Sequence, residues 1–148
     1  MWPAFDSEPR QMATTIITFG TFDVFHVGHL RLLERARAQG DRLVVGISSD
    51  ELNFSKKGRN PVYDVHDRMN IVGALRCVDD VFIEESLDKK TDYIREHHAD
   101  ILVMGDDWAG KFDFCQSYCN VVYLERTPSV STTEIIEVIR HGSEQTRS

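Results

Sequence analysis

Two histidines three residues apart, His26 and His29, stand in the segment GTFDVFHVGH at residues 20–29. At a helix start that spacing brings both imidazoles to one side. There they can donate hydrogen bonds to a phosphorus centre as negative charge builds on it. Gly20 allows a tight turn where a side chain would intrude. Gly28, between the rings, leaves room for a phosphate to approach the outward-facing N–H groups of the helix start. Two surface histidines on a helix are the ordinary alternative, and a metal pair is a third reading, although no further ligand follows at fixed spacing. A second segment, RTPSVSTT at residues 126–133, combines Arg126 with a row of hydroxyls. Ser131 with Glu134 forms a capping-box pattern. An arginine beside Ser131, Thr132 and Thr133 exceeds what capping needs and suits the edge of a polyphosphate site. A third segment, GDDWAGKFD at residues 105–113, sets Asp106, Asp107, Trp108 and Lys111 together; its plain reading is a loop in which Trp108 packs locally. Lys56, Lys57 and Arg59 form a basic stretch in a loop expected after the second strand, and Lys90 opens a later helix. Solvation is the ordinary role of such lysines.

These groups need elements that bring them to one place. Residues 15–19 (TIITF), 42–48 (RLVVGIS), 78–83, 101–104 (ILVM) and 121–124 (VVYL) are short, continuously apolar runs, so five buried strands are expected. Between them, residues 27–39, 64–75, 89–97 and 131–140 carry apolar positions at helical spacing. Gly40 follows the first helix as a C-cap would. Such alternation implies a parallel sheet with helices on both faces. Right-handed crossovers make it a Rossmann-like doubly wound α/β sheet of five strands. Ligands of such sheets bind beyond the carboxyl ends of the strands, at the switch point. The signature segments follow strands one, four and five. Residues 1–14 show no period and form a tail, with Met12 as a candidate start; residues 15–141 form one domain, and residues 142–148 a frayed end.

A length of 148 residues suits one domain. With 41% hydrophobic and 28% charged residues the chain has an ordinary globular composition, and its net charge of −7 disfavours nucleic acid as a bulk partner. A pocket on an acidic protein can still be locally positive. No apolar run approaches the roughly 18 residues of a membrane span, and no secretion signal opens the chain. Cys77, Cys115 and Cys119 make an odd count that argues against a disulfide framework. Cys115 and Cys119 read as two thiols on one helical face rather than half a metal site.

GTFDVFHVGH resembles the signature of the HxGH nucleotidyltransferase superfamily, which includes cytidylyltransferases and some adenylyltransferases. RTPSVSTT is similar to that superfamily's second signature, with Ser129 where Gly is usual and Pro128 before it. GDDWAGKFD, together with RCVDDV at residues 76–81, closely resembles the glycerol-3-phosphate cytidylyltransferase subfamily, and the resemblance runs from about residue 16 to 137. The resemblance implies an enzyme that joins CTP to glycerol 3-phosphate, releasing pyrophosphate, with Mg²⁺ or another divalent cation accompanying the nucleotide. His26, His29 and Arg126 would be catalytic. Thr21, Phe22, Gly28, Arg59, Gly105, Asp107, Thr127, Ser131, Thr132 and Thr133 would join them around CTP. Lys56, Lys90 and Trp108 would meet the acceptor. Asp23 would orient the signature loop or approach the metal, and no direct protein ligand to the metal is implied. A homodimer with residues 76–83 near the contact, a bacterial cytoplasmic location, and a product feeding teichoic acid or capsule synthesis are also implied. The rivals are the same reaction with phosphocholine or phosphoethanolamine, ATP with a sugar phosphate, and a sensor that binds nucleotide without turnover.

Overall fold

The computed structural model describes residues 13–126 and 131–142. The readings of the tail through residue 12, of Thr127, Pro128 and Ser129, and of residues 143–148 fall outside them. Five strands, β1 (Thr15–Gly20), β2 (Arg42–Ser48), β3 (Asp80–Glu84), β4 (Ile101–Gly105) and β5 (Asn120–Leu124), form one parallel sheet in the order β3-β2-β1-β4-β5. The chain winds from β1 outward to β3, then crosses to the other side of β1 for β4 and β5. The carboxyl ends of β1 and β4 therefore flank the switch point, where a parallel sheet opens a crevice for ligand.

Successive residues of the central strands feed opposite faces, as the two-residue strand period requires. Ile16, Leu43, Val45, Ile47 and Val103 pack with Leu33, Ala36, Val65 and Val72 on one face. Ile17, Phe19, Leu102 and Met104 pack with Tyr93, Ile94, Phe112 and Cys115 on the other. The helices that supply these residues are α1 (Val27–Arg37) and α3 (Val65–Gly73) on the first face and α4 (Lys90–Glu96) on the second. The last helix is α5 (Thr132–His141). Cys115 lies in a short 3₁₀ turn and Cys119 just beyond it, with burial raising the Cys115 thiol to about 11. No helix among the described residues is long and apolar enough to cross a membrane.

Four expectations need correction. Helix α1 is C-capped by Ala38 rather than by Gly40. Cys115 and Cys119 do not share a helical face, because Cys119 lies beyond the 3₁₀ turn. Strand β3 starts at Asp80 rather than residue 78, because Val78 closes a turn onto Leu75 and the Asp79 carboxylate accepts from the Leu43 N–H. The basic stretch after β2 is not a loop: it is helix α2 (Asp50–Lys57), with Lys56 and Lys57 in its last turn. Ser49 caps its start, Asp50 and Glu51 occupy its first turn, and Gly58 closes it. Acidic residues at the start and basic ones at the end complement the helix dipole.

Candidate active site

The signature loop leaves β1 at Gly20. A Cβ there would lie 2.7 Å from the Phe22 ring, so only glycine lets that ring fold back into the core. Phe22 is buried, which leaves its backbone rather than its side chain to face a ligand. Phe22 and Val24 both take left-handed backbone angles, φ 54° and 46°. For such residues that costs about 1–3 kcal/mol each and needs support from around the loop. Three other segments supply it. Arg68 of α3 donates to the Thr21 carbonyl at 2.9 Å. The Asp23 carboxylate accepts from the N–H groups of Val62 and Tyr63 at 2.7 and 2.9 Å. Thr132 of α5 donates to the Asp23 carbonyl at 3.1 Å. Asp23 thus ties its loop to residues 62–63 and to α5.

The two histidines form the start of α1. Nδ1 of His26 accepts from the Gly28 N–H at 3.0 Å, and Nδ1 of His29 accepts from the His26 N–H at 3.3 Å. A nitrogen that accepts carries no proton, so in the neutral ring the proton sits on Nε2. The rings stack 3.8 Å apart with 23° between their planes. Burial, reinforced by His26 and Lys57, holds His29 down to about 3; burial and then Arg126 also lower His26. At neutral pH both rings are therefore uncharged, locked in one tautomer, and each keeps an Nε2–H donor.

The second motif meets the first here. Thr132 Oγ1 lies 3.5 Å from His29 Nε2, and Arg126 is near enough to His26 for its charge to be felt. Ser131 caps α5 by accepting from the Glu134 N–H at 3.1 Å, as the capping-box pattern predicts. Arg35 of α1 donates to the Glu125 carbonyl at 2.6 Å, tying the end of β5 to the helix that begins with the histidines.

The expected acceptor lysines also converge. Lys90 is 1% exposed and pairs with Glu84, also 1% exposed, at 2.5 Å. Its ammonium lies 3.7 Å from the Phe19 ring centroid and 4.8 Å from that of Phe112. Burial pulls the Lys90 pKa down while Glu84 opposes it. Lys56 donates to Ser48 Oγ at 3.1 Å, and that hydroxyl lies 3.4 Å from the other Glu84 oxygen. The third motif closes on this cluster: Phe112 contacts Lys90, Trp108 packs 5.3 Å from Phe112, and Lys111 lies over Trp108. Trp108 thus joins the second core face rather than standing free. Asp107 folds back so closely that a Cβ on Gly105 would sit 2.8 Å from its carboxylate.

Arg59 is not drawn in. Its side chain is exposed, and its carbonyl accepts from Asn53, whose own side-chain oxygen accepts from Thr21 Oγ1 at 2.9 Å. A buried guanidinium that sequence reasoning did not place there, Arg68, does reach the site. It is 0% exposed and spans the Thr21, Ser48 and Tyr63 carbonyls and the Asp50 carboxylate. Sequence reasoning missed it, along with Ser48, Asn53 and Glu84. Arg68 carried a usable signal: it falls between Val65 and Val72 on the apolar stripe of its helix, where a solvated arginine does not belong. Among the described residues no three His, Cys, Asp or Glu side chains cluster to hold a metal ion.

The chain is similar to known proteins over most of its length. Residues 17–138 match the cytidylyltransferase-like family model. The chain is 48% identical over 124 residues to glycerol-3-phosphate cytidylyltransferase of Bacillus subtilis, covering 84% of this chain and 95% of that protein. It is 43% identical over 120 residues to the protein of the same name from Staphylococcus aureus, covering 81% and 90%. Among solved structures, a lipopolysaccharide core biosynthesis protein from Thermoplasma volcanium superposes with a TM-score of 0.68 at 23% identity, covering 78% of this chain and 99% of that one. That last likeness speaks for the fold.

Proposed function

The chain belongs to the cytidylyltransferase-like family, and from that premise we propose that it is a glycerol-3-phosphate cytidylyltransferase. An oxygen of the glycerol 3-phosphate phosphate attacks the α-phosphorus of CTP. The new P–O bond forms as the bond to the bridging oxygen of the β-phosphate breaks, giving CDP-glycerol and pyrophosphate. The observation that carries the mechanism is the stacked, neutral histidine pair, whose Nε2–H donors meet no backbone partner among the described residues. Donors fixed before the reaction stabilise the equatorial charge of the transition state without reorganising. Arg126 and the N-terminus of α5, with Thr132 and Thr133, suit the β- and γ-phosphates. Lys56 is the ammonium available to the acceptor phosphate, and Lys90 supports it from the core.

A divalent cation such as Mg²⁺ supplies charge neutralisation to the nucleotide's phosphate oxygens. The triphosphate would carry the ion, while the Asp23 carboxylate accepts from the Val62 and Tyr63 N–H groups and orients its loop. The resemblance also supports a homodimer meeting near residues 76–83, a cytoplasmic enzyme, and a product consumed in glycerol phosphate polymer synthesis. Light scattering on the purified chain tests the dimer: a monomer mass at micromolar concentration rejects it. Pyrophosphate release across a panel of nucleotides and phospho-alcohols, with products identified by mass spectrometry, tests the reaction. Dominant CDP-glycerol is expected; dominant CDP-choline or an efficient ADP-linked product moves the chain to another branch of the family.

A further inference from the structure

We propose that Ser48 and Glu84 are positioning residues that hold the Lys56 ammonium in place for the acceptor phosphate. The proposal rests on the reaction assigned above. Ser48 and Glu84 are the last residues of adjacent strands and are register partners in the β2–β3 ladder. That register puts a hydroxyl beside a carboxylate at the carboxyl edge of the sheet, both almost fully buried. Each Glu84 oxygen has its own partner, Oε2 the Lys90 ammonium and Oε1 the Ser48 hydroxyl. The Ser48 hydroxyl can donate to Glu84 while accepting from Lys56 Nζ.

The chain of contacts runs Lys56, Ser48, Glu84, Lys90, and only its first member is partly open to solvent. A lysine on the last turn of an eight-residue helix has four rotatable bonds, and ordering it on substrate arrival would cost affinity. Tethering its ammonium to a buried hydroxyl removes that cost beforehand. The interior carboxylate also offsets the repulsion between the two ammoniums, and the Phe19 and Phe112 rings further stabilise Lys90. Lys90 is therefore the rear support of the cluster, and Lys56 is its working end.

The test measures initial rates of pyrophosphate release with each substrate varied in turn, for wild type, Ser48→Ala, Lys56→Met and the double variant. Losing a hydrogen bond to a charged group corresponds to about tenfold or more. Ser48→Ala should therefore raise the acceptor KM about tenfold while the CTP KM changes by less than about twofold. In the Lys56→Met background the same change should add nothing, because the tether then holds no ammonium. Ser48→Cys, which fills the site with a poor acceptor, repeats the comparison without leaving a cavity. An unchanged acceptor KM, equal rises in both KM values, or full additivity with Lys56→Met overturns the proposal. If wild type makes no CDP-glycerol but turns over another phospho-alcohol, the assigned substrate fails, and the same comparison with that alcohol still decides the tether.

Discussion

Replacing His29 with alanine tests the central chemical claim. The substitution removes one Nε2–H donor from the stacked pair and the Nδ1 atom that accepts from the His26 N–H. The first loss falls on the transition state. Removing one preorganised donor of this kind costs about 2.7–4 kcal/mol, a fall in kcat of about 10²–10³. The second loss falls on the helix start, where a missing capping contact costs about 1 kcal/mol. That amounts to a few degrees in Tm at most for a domain of this size. His29 also lies against Phe22 and Phe25, so the alanine leaves a small void. The assay is steady-state kinetics at saturating acceptor together with a thermal melt. The expected pattern is a collapse of kcat, a CTP KM within about threefold of wild type, and a nearly intact melt. Near-normal kcat refutes the donor role. A CTP KM that rises steeply while kcat holds also refutes it, because the ring would then bind ground and transition states alike.

Three further outcomes follow from the same geometry. His29 is held down to about 3 in the fold, against about 6.5 in an unfolded chain, so acid favours unfolding. Its contribution to stability is whole above about pH 6.5 and declines as pH falls toward 3, so urea titrations should show wild type losing about 1–2 kcal/mol more than His29→Ala between pH 7 and 5; an identical loss rejects the neutral ring. Arg68→Met leaves the Asp50 carboxylate and three carbonyls without their donor, and chemical denaturation should show a loss of about 3–5 kcal/mol; a change under 1 kcal/mol would show that the fork holds nothing. Thr132→Val removes the bond to the Asp23 carbonyl and the neighbour of His29 Nε2, while Thr132→Ser keeps both. The valine variant should lose about tenfold or more in kcat and the serine variant should not, with equal losses refuting the role of the hydroxyl.

Much of this architecture was legible because it is local. The strands declare themselves as short apolar runs, and the Ser131 cap and the histidine spacing sit within a few residues of sequence. Helix α2 escaped because eight residues with an exposed Phe54 carry no apolar period, although Ser49 and Gly58 mark its ends. Arg68, Ser48 and Glu84 escaped for a different reason. Their partners lie 5 to 47 positions away, and they meet only because β1, β2 and β3 end side by side with α3 laid across them. Lys90 was found as a basic residue of the site, but its near-complete burial depends on two aromatic rings from β1 and the segment after β4.

Helix α5 carries Thr132 to the stacked histidine pair, yet none of its residues is fully buried, and Ile139 is 74% exposed. An element anchored so lightly opens at a lower free energy than the sheet beneath it. Its backbone amides should exchange with deuterium well before those of β1 and β2. Each opening withdraws a hydroxyl from the Asp23 carbonyl, the outermost tie on a strained loop, without disturbing the core. A nucleotide whose phosphates rest on the start of α5 closes the opening by mass action and slows that exchange in proportion to its occupancy. Mild heat that leaves the sheet intact should then lower turnover by opening α5 first.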